Sequence, residues 1–187
     1  MASIPIGHRI GLGYDLHAFA PASSGRSLVL GGVTIPHPRG LLGHSDADAL
    51  VHAACDAILG ALSLGDLGAH FPDTDPRFKG ISSLTLLKAC GGMAAERGWR
   101  VKNLDSVVIA EAPKIAPFAS AMRSKIAEAL DVPLEDVSVK GTRPEGLGAL
   151  GRGEGIACQA IVLLASRGEL ARLLSRLGRS VRGRIGR

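Results

Sequence analysis

Asp15 and His17 flank a single leucine, Leu16, and a second histidine, His52, closes the run His44-Ser45-Asp46-Ala47-Asp48-Ala49-Leu50-Val51-His52. If residues 13–17 are extended, Asp15 and His17 share one face, because side chains alternate along a strand. A carboxylate and an imidazole then stand side by side. One further imidazole completes a three-ligand site with an open fourth position, the pattern of a catalytic rather than a structural zinc. A substrate oxygen can take that position. On spacing alone, a hydrogen-bonded structural pair remains the commoner explanation of Asp-x-His.

The residues around His52 predict a helix from residue 45 to about 62. Ser45 would be its N-cap, with Asp46 and Asp48 in the first turn. Leu50, Ala54, Ala57, Ile58, Ala61 and Leu62 form its apolar stripe. His52 and Asp56 lie four apart on one face, where a carboxylate can orient a metal-bound imidazole. The alternative is a solvent-facing helix pair of small energetic weight. Free N–H groups at the helix start near His44 and Ser45 suit a phosphate, although a plain N-cap explains the same residues.

A first strand is expected over residues 9–15, and a hairpin over 28–35 that turns on Gly31-Gly32. Residues 63–80 read as a long irregular loop, a feature that is often functional in a compact domain. A second helix is expected over 83–97, ended by Gly98, and a third from just after Lys114 to about residue 130. Strands are expected over 107–110, 137–140 and 156–164, with a glycine-rich loop over 146–155. That loop, Gly151-Arg152-Gly153-Glu154-Gly155, matches neither a Walker sequence nor GxGxxG. It can be a phosphate loop or a turn held by an Arg–Glu pair. Alternating strands and helices indicate an α/β or α+β layered domain.

Composition narrows the class. The 187 residues suit one domain, and with 46% hydrophobic but only 3% aromatic residues the core must be Val, Ile, Leu and Ala. No apolar run approaches the roughly 20 residues of a membrane helix, and the first five residues do not read as a signal peptide. Cys55, Cys90 and Cys158 form no CxxC pair and read as buried thiols in a reducing cytoplasm. The net charge of +5 sits in residues 167–187, with seven arginines and one glutamate, so residues 1–166 are near neutral. A nucleic-acid-binding fold should carry its basic residues on itself, so no nucleic-acid partner is expected. The chain divides into a domain over 1–166 and a basic amphipathic extension over 167–187. In the extension Leu170, Leu173, Leu174, Leu177 and Val181 recur between Arg172, Arg176 and Arg179. A peripheral helix packed on its own subunit explains that pattern too.

Several longer motifs carry a resemblance. They are Gly13-Tyr14-Asp15-Leu16-His17, the run ending at His52, Gly65-Asp66-Leu67-Gly68, Phe71-Pro72-Asp73-Thr74-Asp75-Pro76, Ala112-Pro113-Lys114 and Gly151-Arg152-Gly153-Glu154-Gly155-Ile156-Ala157. In order and spacing the chain resembles the 2-C-methyl-D-erythritol 2,4-cyclodiphosphate synthases over about residues 9–165.

The resemblance implies a small mixed β-sheet with helices packed on one face, and a homotrimer with active sites between subunits. It implies a metal-dependent phosphorus–oxygen lyase of the non-mevalonate isoprenoid pathway, acting on 4-diphosphocytidyl-2-C-methyl-D-erythritol 2-phosphate and releasing CMP. By the same resemblance Asp15, His17 and His52 match zinc ligands. Glu145 matches the residue nearest a second metal, Mg2+ or Mn2+, on the diphosphate. His44 and Ser45 match contacts to the methylerythritol phosphate, His44 being tied to the transition state. Asp66, Leu67 and Gly68 match the segment that holds the erythritol hydroxyls, and Phe71, Pro72, Asp73, Thr74 and Asp75 the substrate loop. Ala110, Pro113, Lys114, Ile115 and Ala116 match the cytidine pocket. Arg152 matches a residue near the three-fold axis, linked to an isoprenoid diphosphate in an axial cavity.

The chain departs from the family where Thr142-Arg143-Pro144-Glu145 replaces the usual Thr-Thr-Thr-Glu, and where Ala149 replaces an axial aromatic. Arg143 stands where a transition-state threonine is expected. A guanidinium can bind phosphate bidentately, so Arg143 is expected to point at the diphosphate, with a solvent-facing Arg143 beside a sufficient Thr142 as the alternative. Two other functions compete: a phosphohydrolase using zinc-bound water, and a non-catalytic nucleotide- or isoprenoid-diphosphate-binding trimer.

Overall fold

The computed structural model describes residues 7–166 and Gly168. In chain order the strands are β1 (His8–Ala18), β2 (Leu28–Leu30), β3 (Val33–Ile35), β4 (Trp99–Ile109), β5 (Val137–Thr142) and β6 (Gly155–Ser166). The helices are α1 (Ala49–Ala61), α2 (Leu67–His70), α3 (Ser83–Glu96), α4 (Ala119–Leu130) and α5 (Gly148–Gly151). Four strands form one sheet in the order β1-β6-β4-β5. β6 is antiparallel to both β1 and β4, whereas β4 and β5 run parallel, so the sheet is mixed. Helices α1, α3 and α4 pack against it, with α1 across β1, β6 and β4. Among the described residues no helix is long and apolar enough to cross a membrane.

β1 alternates in an unusual sense. Its odd positions from Gly11 to His17 face α1, and two of these are glycines. Its even positions are bulky and face away, with Ile10 73% and Leu12 60% exposed. The cause is the closeness of strand and helix. A Cβ on Gly11 would lie 1.8 Å from the carbonyl oxygen of Ala57, and one on Gly13 would lie 1.9 Å from that of Ala53. Only glycine permits this approach, and the facing helix supplies alanines. Asp15 and His17, next on the same side, are thereby aimed at the N-terminal half of α1.

Several boundaries differ from the sequence reading. α1 starts at Ala49, not at Ser45, because Asp48 takes the N-cap position and accepts the backbone N–H of Val51. The same buried carboxylate accepts Gly31 N–H at 2.9 Å and Gly32 N–H at 2.6 Å, so it ties the hairpin turn to the helix start. Both turn glycines have positive φ, 57° and 71°, as the hairpin reading requires. α4 starts at Ala119, leaving residues 110–118 irregular. The 63–80 segment contains α2, capped by Asp66, and the glycine-rich loop contains α5. Apart from Gly168, the extension over 167–187 lies outside the described residues.

Gly13→Ala should lower the unfolding free energy by about 2 kcal/mol or more, because the new methyl meets backbone that cannot turn aside. The measurement is a urea midpoint at unchanged slope. An unshifted midpoint would mean that strand and helix are not held at this distance.

Candidate active site

The end of β1 and the first turns of α1 bring Asp15, His17 and His52 together. One ligand atom from each lies within 4.8 Å of the other two. Asp15 Oδ2 is 2.9 Å from His17 Nε2 and 3.1 Å from His52 Nδ1, and the two ring nitrogens are 3.2 Å apart. The opposite ring nitrogens are occupied. His17 Nδ1–H donates to the carbonyl of Leu42, so Nε2 is the nitrogen turned toward Asp15. His52 Nε2 faces the hydroxyls of Ser83 at 2.9 Å and Ser45 at 3.1 Å. Asp56 does not orient His52. Its carboxylate instead accepts the backbone N–H of Leu67 at 2.7 Å and so holds the start of α2.

Electrostatics fit a cation at this point. Burial alone would raise the Asp15 carboxyl, but hydrogen bonds from His17 and His52, with their charge, outweigh it and hold it well below the usual carboxylate range. Burial alone would lower His17, yet its hydrogen bond and attraction to Asp15 leave it raised. Asp56 is raised by burial and by the nearby charges of Asp15 and Asp66, against the Leu67 N–H.

The triad opens into a cleft of about 610 Å³, lined also by Asp56, Asp66, Leu67, Gly68, Phe71, Pro72 and Asp73. A smaller space of about 250 Å³ continues past His17 and His52 to His44 and Ser45. Residues expected from separate motifs thus converge on one cleft. His44 is drawn to the same segment, its Nε2 donating to the carbonyl of Asp75 at 3.3 Å. Asp75 itself caps the turn after it and pairs with Arg77.

The other expected residues lie elsewhere on the chain. Ala110, Pro113, Lys114, Ile115, Ala116, Thr142, Arg143 and Glu145 line a second cleft of about 430 Å³, together with Glu111 and Gly141. No residue lines both this cleft and the first. Glu111 takes the Arg143 guanidinium in a salt bridge and accepts Gly146 N–H at 3.2 Å. The hydrogen bond from Arg143 holds its carboxyl below the usual range. The sequence reading missed Glu111 as the partner of Arg143, and Ser83, itself bonded to Asp46, as a neighbour of His52. Nothing in the spacing marks the Glu111–Arg143 or the Ser83–His52 association, since each joins residues more than 30 positions apart. Arg152 pairs with Glu154 at 2.6 Å beside α5, as the turn reading of that loop had it, and Ala149 lies within α5.

A family model described as the YgbB family matches residues 8–165. The 2-C-methyl-D-erythritol 2,4-cyclodiphosphate synthase of Syntrophobacter fumaroxidans is 54% identical over 160 residues, covering 86% of this chain and 99% of the relative. The chain belongs to the YgbB family. The enzyme of the same name from Burkholderia mallei is 57% identical, covering 83% of this chain and 94% of its own length. A solved structure described as the Plasmodium falciparum IspF CDP complex superposes with a TM-score of 0.76 at 34% identity, over 87% of this chain and 99% of that one. The mixed sheet and flanking helices are thus those of the YgbB family.

If the triad is a metal site, the full chain should bind one zinc per subunit, and His52→Ala should lose most of it by elemental analysis after dialysis. Zinc retained at one per subunit in that variant would exclude the site.

Proposed function

We propose that this chain converts 4-diphosphocytidyl-2-C-methyl-D-erythritol 2-phosphate into 2-C-methyl-D-erythritol 2,4-cyclodiphosphate and CMP, with zinc held by Asp15, His17 and His52. The observation that carries this reading is the convergence of those three side chains at the mouth of an acidic cleft, in a member of this family. Two imidazole nitrogens and one carboxylate oxygen are a donor set suited to zinc, and three ligands leave a position open. Zinc held by these three side chains would supply Lewis-acid polarisation of a phosphate oxygen.

The reaction closes a ring within one flexible molecule. An oxygen of the 2-phosphate attacks the inner phosphorus of the diphosphate, a P–O bond forms, and the P–O bond to CMP breaks. No protein nucleophile is required, so positioning and charge stabilisation must supply the rate. His44 and Ser45 would hold the 2-phosphate end from the smaller space, and Asp66 and Gly68 would orient the hydroxyls. The segment from Phe71 to Asp75 would cover the bound chain and exclude water. Ala110, Pro113, Lys114, Ile115 and Ala116 would hold the cytidine. Glu145 would offer a hard oxygen to Mg2+ or Mn2+ on the diphosphate; one carboxylate plus substrate oxygens is how magnesium is commonly bound. Thr142 and Arg143, with Pro144 restricting the backbone of the latter, would face the leaving group.

Arg143 takes the place of the usual threonine in this reading. Glu111 holds its guanidinium at the rim of the second cleft, where it is half-exposed and ready to meet a phosphate. Phosphorus NMR of the reaction tests both points. The wild-type chain should yield cyclic diphosphate and CMP, and Arg143→Ala should lower kcat and kcat/KM together by about tenfold or more. Inorganic phosphate as the product would replace the cyclase reading with a hydrolase. Unchanged kinetics would remove Arg143 from the chemistry.

The assembly we propose is a homotrimer with each active site between neighbours. Two features support it. The clefts are lined by separate residues, and the sheet face opposite the helices exposes Ile10, Leu12, Tyr14, Leu16 and Ile161, an apolar patch suited to burial between copies. Arg152 and Ala149 would then lie toward the axis, where an isoprenoid diphosphate could bind. The three free, buried cysteines fit a reducing cytoplasm. Light scattering should give three chains per particle, and Leu12→Glu should shift the mass to one chain with loss of turnover. An active wild-type monomer would overturn the assembly.

A further inference from the structure

The turn that follows β5 has a conformation its own residues do not favour. Leu147 N–H donates to the carbonyl of Pro144 at 3.0 Å, which closes a turn with Glu145 and Gly146 at its centre. Both central residues have positive φ, 53° and 76°. Glycine enters that region freely, whereas a glutamate does so at a cost. Turns of this kind usually place Asn or Asp before the glycine. A contact from outside the turn is needed to hold it.

Glu111 supplies that contact. Ala110 N–H donates to the carbonyl of Thr142 at 3.1 Å, so β4 and β5 stay paired up to the residues just before Glu111 and Arg143. The two Glu111 oxygens then have separate partners. Oε2 accepts the N–H of Gly146, inside the turn, at 3.2 Å. Oε1 accepts Arg143 Nε–H at 3.1 Å and one N–H of Nη2. A single carboxylate thus fixes the turn by its backbone and Arg143 by one edge of its guanidinium. The other edge, Nη1 and the remaining N–H of Nη2, has no partner among the described residues. It belongs to a side chain that lines the second cleft, as Glu145 does.

An exposed ion pair contributes little through charge alone. This pair is also neutral as a whole, so it attracts a distant phosphate weakly. What Glu111 adds is order. A free arginine loses rotamer freedom when it binds a phosphate, and one already held by an edge has less to lose. The open edge can still meet two phosphate oxygens at once.

We infer that Glu111 is a positioning residue that presents the outer edge of Arg143 to the phosphates of a cytidine nucleotide. The inference rests on the proposed function, which puts cytidine and diphosphate in this cleft.

The test uses Glu111→Gln, which keeps the shape and replaces one oxygen by NH2. Whichever way the amide turns, a donor meets either Gly146 N–H or the Arg143 guanidinium, and one contact is lost. Calorimetric titration of the full chain with CDP reads the effect. Cytidine, followed by NMR shifts, is the control without phosphate. Glu111→Gln should weaken CDP binding by about tenfold and leave cytidine binding within about twofold. Arg143→Ala should weaken CDP binding at least as much. The double variant should be no weaker than Arg143→Ala, because the Gln amide oxygen can then accept Gly146 N–H with no guanidinium to oppose. Unchanged CDP affinity in Glu111→Gln, an equal loss for cytidine, or additive losses in the double variant would overturn the inference. Tighter CDP binding would overturn it too, by showing that Glu111 competes with phosphate for Arg143, as would a wild-type chain that does not bind CDP. If the wild type shows the expected pattern but forms no cyclic diphosphate, the proposed reaction fails while the role of Glu111 stands.

Discussion

The contact between β1 and α1 governs the rest of this molecule. Gly11 and Gly13 let the helix backbone lie almost directly on the strand, against Ala53 and Ala57. Overpacking a backbone contact is destabilising because neither partner can turn aside. The short separation brings His52, in the first turns of α1, level with Asp15 and His17 at the end of β1. It also inverts the usual strand pattern. With small residues turned inward, the bulky ones on β1 are left on the outer face, and that face becomes an exposed apolar surface.

Around the triad, polar groups are arranged so that each ring nitrogen has one purpose. Leu42 occupies the outer nitrogen of His17 and Ser83 that of His52, so both inner nitrogens point to one place. Buried imidazoles keep defined orientations only when such partners are present. The cleft beyond is acidic, with Asp56, Asp66 and Asp73 near Asp15. Burial, and after it the like charges of Asp15 and Asp66, raise Asp56, and a cation among these carboxylates would relieve their repulsion.

The second cleft is organised by a different pair. Glu111 follows the end of β4 and Arg143 follows the end of β5, and these two strands run parallel and adjacent. Parallel pairing places both strand ends, and both loops after them, on the same side of the sheet. An Arg at position 143 is therefore supplied with a carboxylate partner by the topology, and Gly146 N–H anchors that carboxylate further. Arg143 is thus accommodated together with its carboxylate partner.

By itself the sequence determined a good deal. The Asp15–Leu16–His17 spacing already put two donors on one strand face, the Gly31-Gly32 turn defined a hairpin, and the apolar stripe of α1 marked a buried helix. These are local properties, set by side-chain periodicity and by the φ angles that glycine permits. Tertiary structure decided what joins distant positions. Asp48 rather than Ser45 caps α1, because a carboxylate at 48 can satisfy the hairpin N–H groups as well. Asp56 holds α2 instead of His52, and Ser83 with Asp46 takes the place expected of Asp56. Arg143 finds Glu111. A hydrogen bond depends on distance and direction in space, and for residues tens of positions apart only the packed chain sets either one.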